Sequence, residues 1–192
     1  MLVGASEFDS IKINAENNNT LKSYVQYFKD NIDSVIYVAN SQSGEKDLAP
    51  LPDNSITDGT RLDNASAIQS HIIGAALIYK LTDDSAYRDC AINVMMNTAS
   101  DDEFPDWNPK KHFLDTATIM YGMSVGYNWL YDELTPSQQS AISNAIVKKG
   151  LEPALEQHNT PYCNFNWTAN KTNWNFVCNS ATVMGALAVS HS

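Results

Sequence analysis

The chain has 192 residues, of which 43% are hydrophobic and 10% aromatic, enough for one domain with a substantial core. Acidic residues outnumber basic ones by 22 to 12, which gives a formal net charge of −10. This charge argues against nucleic acid or an anionic membrane surface as a partner, because both are negatively charged. No apolar run is long enough to span a bilayer, and the first residues lack the features of a secretory signal peptide.

Hydrophobic periodicity predicts a chain that is helical almost throughout, with no convincing β-strand. The predicted helices cover residues 20–32, 64–80, 85–98 and 112–133, a shorter segment that starts after Thr135, and a last one from Asn173. Pro136 and Gln138 follow Thr135 at the spacing of a capping box with proline at the first helical position. Long polar loops are predicted over residues 39–59, 100–111 and 158–172.

These segments predict an all-α fold built of stacked antiparallel helix hairpins, which can form a solenoid or close into a ring. We divide the chain into an N-terminal helix and loop over residues 1–60 and a hairpin domain over residues 61–192. The tight turns lie at one end, so the long loops are expected to carry function at the other. The segment Ala181–Val189 is apolar nearly all round, which predicts cover by a further part of a longer protein or by self-association.

The entry of the last helix is the main functional candidate, with Asn173, Trp174 and Asn175 in sequence. A helix N-terminus presents unpaired N–H groups and a partial positive charge, which suit an anion such as a uronate carboxylate. An asparagine amide can polarise that carboxylate, and a tryptophan can stack on a sugar ring. The alternative interpretation is an Asn-rich helix start with a buried tryptophan.

Other candidates lie in the loops that are expected to open on the same face. The candidate substrate-binding residues there are Trp107, Tyr162, Trp167, Lys171 and His112. Packing over the end of the fold is the alternative for the aromatic residues, and helix capping is the alternative for the histidine. Asp101, Asp102, Glu103 and Asp106 resemble the carboxylates of a glycoside hydrolase, but a solvated acidic loop explains them more simply.

The cysteines and histidines give no metal-binding pattern. Cys90, Cys163 and Cys178 lack zinc-type spacing, and an odd count excludes a fully paired disulfide framework. The four histidines also lack the spacing of a helical zinc site. The sequence therefore predicts neither a metal nor a cofactor.

Several segments in order resemble the N-terminal half of the catalytic toroid in heparinase II/III-like polysaccharide lyases, over roughly residues 55–192. The segments that carry the resemblance are Ala76–Tyr87, Phe113–Ala117, Gly126–Asp132, Leu134–Gln139 and Asn173–Asn179. The resemblance implies an incomplete (α/α)6 toroid. It also implies a secreted or periplasmic enzyme that cleaves uronic-acid polysaccharides, such as alginate or glycosaminoglycans, by β-elimination.

By this resemblance Asn173 corresponds to the asparagine that neutralises the uronate carboxylate. Several relatives have a histidine directly after it, where this chain has Trp174, which cannot carry charge. The catalytic tyrosine of the family lies further along than Ser192, so we expect a lyase fragment that is inactive alone. The alternatives are a glycoside hydrolase on the same toroid and a non-catalytic glycan-binding helical scaffold.

Overall fold

A computed structural model describes residues 5–39, 46–55, 60–160 and 166–190. Its helices are α1 (Ala5–Asn17), α2 (Asn19–Ile36), α3 (Leu62–Thr82), α4 (Ser85–Ala99), α5 (Phe113–Trp129), α6 (Pro136–Ala145), α7 (Glu152–Asn159) and α8 (Asn173–Val189). A 3₁₀ turn (Tyr131–Glu133) follows α5, and a π-helical segment (Ile146–Leu151) joins α6 to α7. The all-α prediction is confirmed.

Two elements were not predicted from the sequence. Helix α1 is largely polar, but its Phe8 is buried and packs edge-on against the ring of Trp129 at 5.3 Å. Strands β1 (Tyr37–Ala39) and β2 (Lys46–Leu48) pair antiparallel in the region that was expected to be free of strands. Helix α1 takes its place from a distant partner, whereas each three-residue strand is too short to show a periodic pattern.

The helix ends follow local chemistry that the sequence displays. The capping box at Thr135 and Gln138 is present, with Pro136 at the start of α6. The turn between α3 and α4 is closed by Asp83, whose φ of 58° is left-handed and whose N–H bonds to the Tyr79 carbonyl. Asp84 then caps α4 by accepting the N–H of Ala86 at 3.0 Å.

Helices α3, α5 and α8 lie side by side in that order, and the contacts of α5 with its two neighbours are the most extensive in the structure. Helix α4 packs on α3 and α6, while the π-helical segment contacts both α5 and α8. The close approach of α3 and α5 depends on Gly122, because a Cβ there would lie 2.9 Å from the Cα of Gln69. The result is a row of three helices backed by a second layer.

Helix α8 buries only the narrow stripe formed by Cys178, Ala181 and Gly185. Apolar side chains on its other faces are exposed, among them Phe176 at 75% and Val183 at 57%. The sequence of α8 is therefore apolar nearly all round, although only one face of the helix is packed against the described part of the chain. No helix among the described residues is both long enough and apolar enough to cross a membrane.

The N-terminal helices α1 and α2 pack against α3, and a polar cluster links α2 to α4. The hydroxyl of buried Tyr87 hydrogen-bonds to Asp33 and accepts from Lys29 Nζ at 2.5 Å. Burial, followed by the Asp33 hydrogen bond, raises the pKa of Tyr87 to about 12 from an ordinary 10.0. The proposed boundary between residues 60 and 61 stays a prediction.

This tyrosine makes the stability of the fold sensitive to alkali. Its pKa is higher in the folded chain than in the unfolded chain, so its contribution is complete below pH 10 and is lost towards pH 12. At about 1.4 kcal/mol per pH unit, we expect the free energy of unfolding to fall by roughly 2–3 kcal/mol across this range. Tyr87→Phe should flatten this fall, whereas Tyr24→Phe, at a position that is 66% exposed, should not. Urea unfolding between pH 9 and 11.5 tests this, and parallel curves for wild type and Tyr87→Phe would contradict it.

Candidate functional site

The N-terminal ends of α3, α5 and α8 meet at one end of the row of helices. Thr60 and Arg61, which precede α3, contact Asp115 in the first turn of α5. His112, which precedes α5, contacts Trp174 in the first turn of α8. The three helices therefore run in the same direction, and their positive dipole ends point to a common surface.

Asp115 holds this end together from a fully buried position. Its Oδ1 accepts the Thr60 hydroxyl at 2.9 Å and faces His112 Nδ1 at 2.6 Å. Its Oδ2 accepts the backbone N–H of Arg61 at 2.7 Å and the side-chain amide of Asn108 at 2.8 Å. One carboxylate thus joins the start of α3, the start of α5 and the loop before it, and buried charge is tolerated because both oxygens are satisfied.

His112 is the part of this network that reaches the surface, with 22% of its side chain exposed. Its ring packs edge-on against Trp174, with centroids 4.8 Å apart. An ionised carboxylate only accepts hydrogen bonds, so the 2.6 Å contact to Asp115 places a proton on Nδ1. Nε2 then faces away from the carboxylate and has no hydrogen-bond partner among the described residues.

The predicted motif on α8 divides into exposed and structural positions. Asn173 is exposed and Trp174 is partly exposed, at the end of the helix where Thr172 makes no capping side-chain bond. Asn175 instead uses its amide to donate to the carbonyls of Trp167 and Thr168, at 3.1 and 3.2 Å. The structure therefore places Trp174 against His112 at the surface, leaves Asn173 exposed at the same helix start, and gives Asn175 the role of fixing the preceding loop.

A groove of about 290 Å³ runs along the same face between α3, α5 and α8. Its lining residues are Gln69, Ala117, Thr118, Tyr121, Phe176, Val177, Ser180 and Ala181. The wall is mainly apolar and includes an aromatic ring from each of two helices, Tyr121 of α5 and Phe176 of α8.

Two predicted ligand residues belong to the core instead. Trp107 and Trp167 have no exposed surface, so no ligand can reach either ring in this structure. Trp167 packs against Phe113 at 4.8 Å and lies beside His158, whereas Trp107 donates its Nε1–H to the Thr98 carbonyl at 3.2 Å. Tyr162 lies outside the described residues.

The lysines near this surface differ in exposure. Lys110 and Lys111 are exposed just before the start of α5, and Lys171 is exposed just before the start of α8. Lys149 is buried and donates to the carbonyls of Ala99, Ser100 and Phe104 at 2.6–3.0 Å. Its contact with Asp101 lowers the pKa of that carboxyl, so the acidic loop is partly explained by a structural ion pair.

Sequence reasoning missed Asp115, Thr60, Arg61 and Asn108. The sequence contained one signal for this network. Asp115 lies in an otherwise apolar helix, and a carboxylate that is buried there needs hydrogen-bond partners.

Among the residues that the structure describes, no group of three or more His, Cys, Asp or Glu side chains is arranged to hold a metal. No protein-family model matches the chain, and no curated protein matches it.

Proposed function

We propose that the chain is part of a polysaccharide lyase that cleaves a uronic-acid polymer by β-elimination. The observation that carries the proposal is the contact of Trp174 with His112 where α3, α5 and α8 begin, at a helix start that also exposes Asn173. An amide at a helix N-terminus beside a histidine and a stacking ring suits a sugar that bears a carboxylate.

In this proposal α3, α5 and α8 are inner helices of an incomplete (α/α)6 toroid, and α4 with α6–α7 forms its outer layer. The groove between the inner helices then lies on the concave side, where an extended polymer would bind. The exposed apolar face of α8 is covered by a further part of a longer protein or by a second copy. Such an enzyme acts outside the cytoplasm, in the secreted or periplasmic space where these polymers occur.

The proposed chemistry begins with the uronate carboxylate. Asn173 donates from its amide to the carboxylate and so favours the charge that develops when the C5 proton is removed. A general base accepts the C5 proton, and the electron pair of the C5–H bond forms the C4–C5 double bond. The C4–O4 bond breaks, and O4 leaves with a proton donated by a general acid. Trp174 positions the sugar ring but contributes no charge.

The test is the ultraviolet absorbance of the unsaturated uronate product, with alginate, heparan sulfate, chondroitin and hyaluronan as substrates. It requires this chain and a longer natural form that contains it. Asn173→Ala in the active form should lower kcat by about 10²–10³-fold, the usual cost of one oxyanion-stabilising donor. Asn144→Ala, at an exposed position on α6, is the matched control and should retain full rate.

Two results of this assay would indicate a function other than a polysaccharide lyase. Release of reducing ends without ultraviolet absorbance would indicate a glycoside hydrolase on the same fold. Glycan binding without any cleavage by either form would indicate a non-catalytic scaffold. Wild-type rates for Asn173→Ala in a form that does produce unsaturated uronate would contradict the role given to this residue.

A further inference from the structure

The outward face of helix α2 exposes two tyrosine rings that take no part in the core. Tyr24 and Tyr27 are 66% and 68% exposed, and they point away from the side of α2 that buries Ile32 and Ile36. Residues three apart on a helix have Cβ atoms about 5–6 Å apart, so the two rings are neighbours on one surface. They line an open hollow of about 570 Å³, together with Asn19, Thr20 and Ser23.

The groups that line this hollow are uncharged, and several are available for hydrogen bonds. The hydroxyls of Thr20, Tyr24 and Tyr27 bond to no other residue that the structure describes, so each can donate and accept. The start of α2 is already capped, because Asn18 accepts the N–H groups of Thr20 and Leu21 at 2.9 and 3.2 Å. The hollow therefore presents rings and hydroxyls rather than a site for an anion.

The charged side chains of α2 do not supply a cation to these rings. Lys22 is exposed, but it is two residues from Tyr24, and a rotation of about 200° places it on the far side of the helix. Lys29 belongs to the polar cluster that links α2 to α4. Asp30, three residues after Tyr27, is exposed and negative, so it repels an acidic polymer. The charges favour a neutral ligand.

We propose that Tyr24 and Tyr27 form a binding surface for a neutral polysaccharide. The C–H face of a sugar ring stacks on an exposed aromatic ring, and the tyrosine hydroxyl adds a polar group at its edge. The spacing of the two side chains is about the length of one sugar unit in an extended chain. Consecutive sugars can therefore occupy consecutive rings, while the Thr20 hydroxyl bonds to a sugar hydroxyl at the side.

This surface is separate from the site at the start of α8. Helix α2 packs against α1 and α3, and its Lys29 reaches Tyr87 in the first turn of α4, at the end where a tight turn joins α3 to α4. Trp174 and His112 contact each other at the opposite end, where α3 begins. The inference therefore does not rest on the proposed cleavage of a uronic-acid polymer.

The size of the surface fits a sugar chain better than a protein partner. An aromatic side chain offers about 150–250 Å², and the two tyrosines expose two-thirds of theirs. With the partly exposed Leu21 and Phe28 beside them, the apolar area is roughly 300–500 Å². A stable protein partner buries about 800 Å² on each side. A few sugar units need much less.

Affinity gel electrophoresis and calorimetry test the proposal. The chain is run through gels that contain hydroxyethylcellulose, laminarin, xylan or galactomannan, with alginate as the acidic comparison, and any neutral polymer that retards it is titrated as a hexasaccharide. We expect wild type to bind at least one neutral polymer and to pass through alginate no more slowly than through an empty gel. Tyr24→Ala and Tyr27→Ala should each weaken binding by tenfold or more, whereas Tyr27→Phe, which keeps the ring, should retain most of it.

The matched control is Lys22→Ala, on the far side of the same helix, which should bind as wild type. All these positions are exposed, so the melting temperature by circular dichroism should stay at the wild-type value. Absence of binding to every neutral polymer, or binding that survives Tyr24→Ala and Tyr27→Ala together, would overturn the inference. So would retardation by alginate that the same substitutions abolish, or self-association in sedimentation that they abolish. Loss of the ultraviolet signal from uronate cleavage would leave it standing.

Discussion

Asp115→Ala is expected to lower the free energy of unfolding by about 3–5 kcal/mol, because it removes a fully buried charge with four partners. The substitution removes the carboxylate oxygen that accepts the Arg61 N–H and the Asn108 amide. It also releases the ring of His112 and the hydroxyl of Thr60. The starts of α3 and α5 then lose the group that joins them.

Urea unfolding followed by circular dichroism measures this loss. Asp102→Ala, in the exposed part of the acidic loop, is the control and should change stability by less than about 0.5 kcal/mol. Asp115→Asn keeps the shape of the side chain but exchanges one acceptor for a donor, so an intermediate loss is expected. A loss for Asp115→Ala no larger than that for Asp102→Ala would show that the carboxylate is not what holds this end together.

The elements that were predictable are those whose signal is local. The capping box around Thr135 needs only residues within one helical turn, and the structure contains it as the sequence indicated. The long apolar helices α3 and α5 were likewise visible from their periodicity. Helix α1 was not, because its one buried anchor, Phe8, finds its partner Trp129 far along the chain.

The candidate site was predictable only in part, for a physical reason. Sequence marks which residues can stack on a sugar or carry charge, but burial decides which of them a ligand can reach. Trp174 and Trp107 look alike as loop-associated aromatics, yet only Trp174 retains exposed surface. Lys148 and Lys149 are adjacent, yet only Lys149 is turned inward to the end of α4. Such differences come from tertiary packing, which no local pattern encodes.

The second large effect on stability is expected at Trp107, because this tryptophan is buried in the core whereas Trp174 is partly exposed. Trp107→Ala is expected to cost about 3–5 kcal/mol of unfolding free energy, since it removes a large, fully buried ring and leaves a cavity. The ring fills the space beside Gly150 of the π-helical segment, where a Cβ would lie 3.2 Å from Cζ3. The carbonyl of residue 107 still accepts the Thr116 hydroxyl at 2.5 Å, which holds the backbone in place, so the cavity can collapse only in part.

Trp174→Ala should give the opposite profile, because its ring is partly exposed and packs against His112 and the edge of the core. We expect it to cost less than about 1.5 kcal/mol in stability but to weaken binding of uronate oligosaccharides by tenfold or more. Trp107→Phe, which keeps an aromatic ring in the core, should recover part of the stability lost in Trp107→Ala. Urea unfolding and calorimetric titration of the three variants measure both quantities. If Trp107→Ala left stability intact while abolishing binding, Trp107 would belong to the binding surface after all, and the division between core and site drawn from its burial would be wrong.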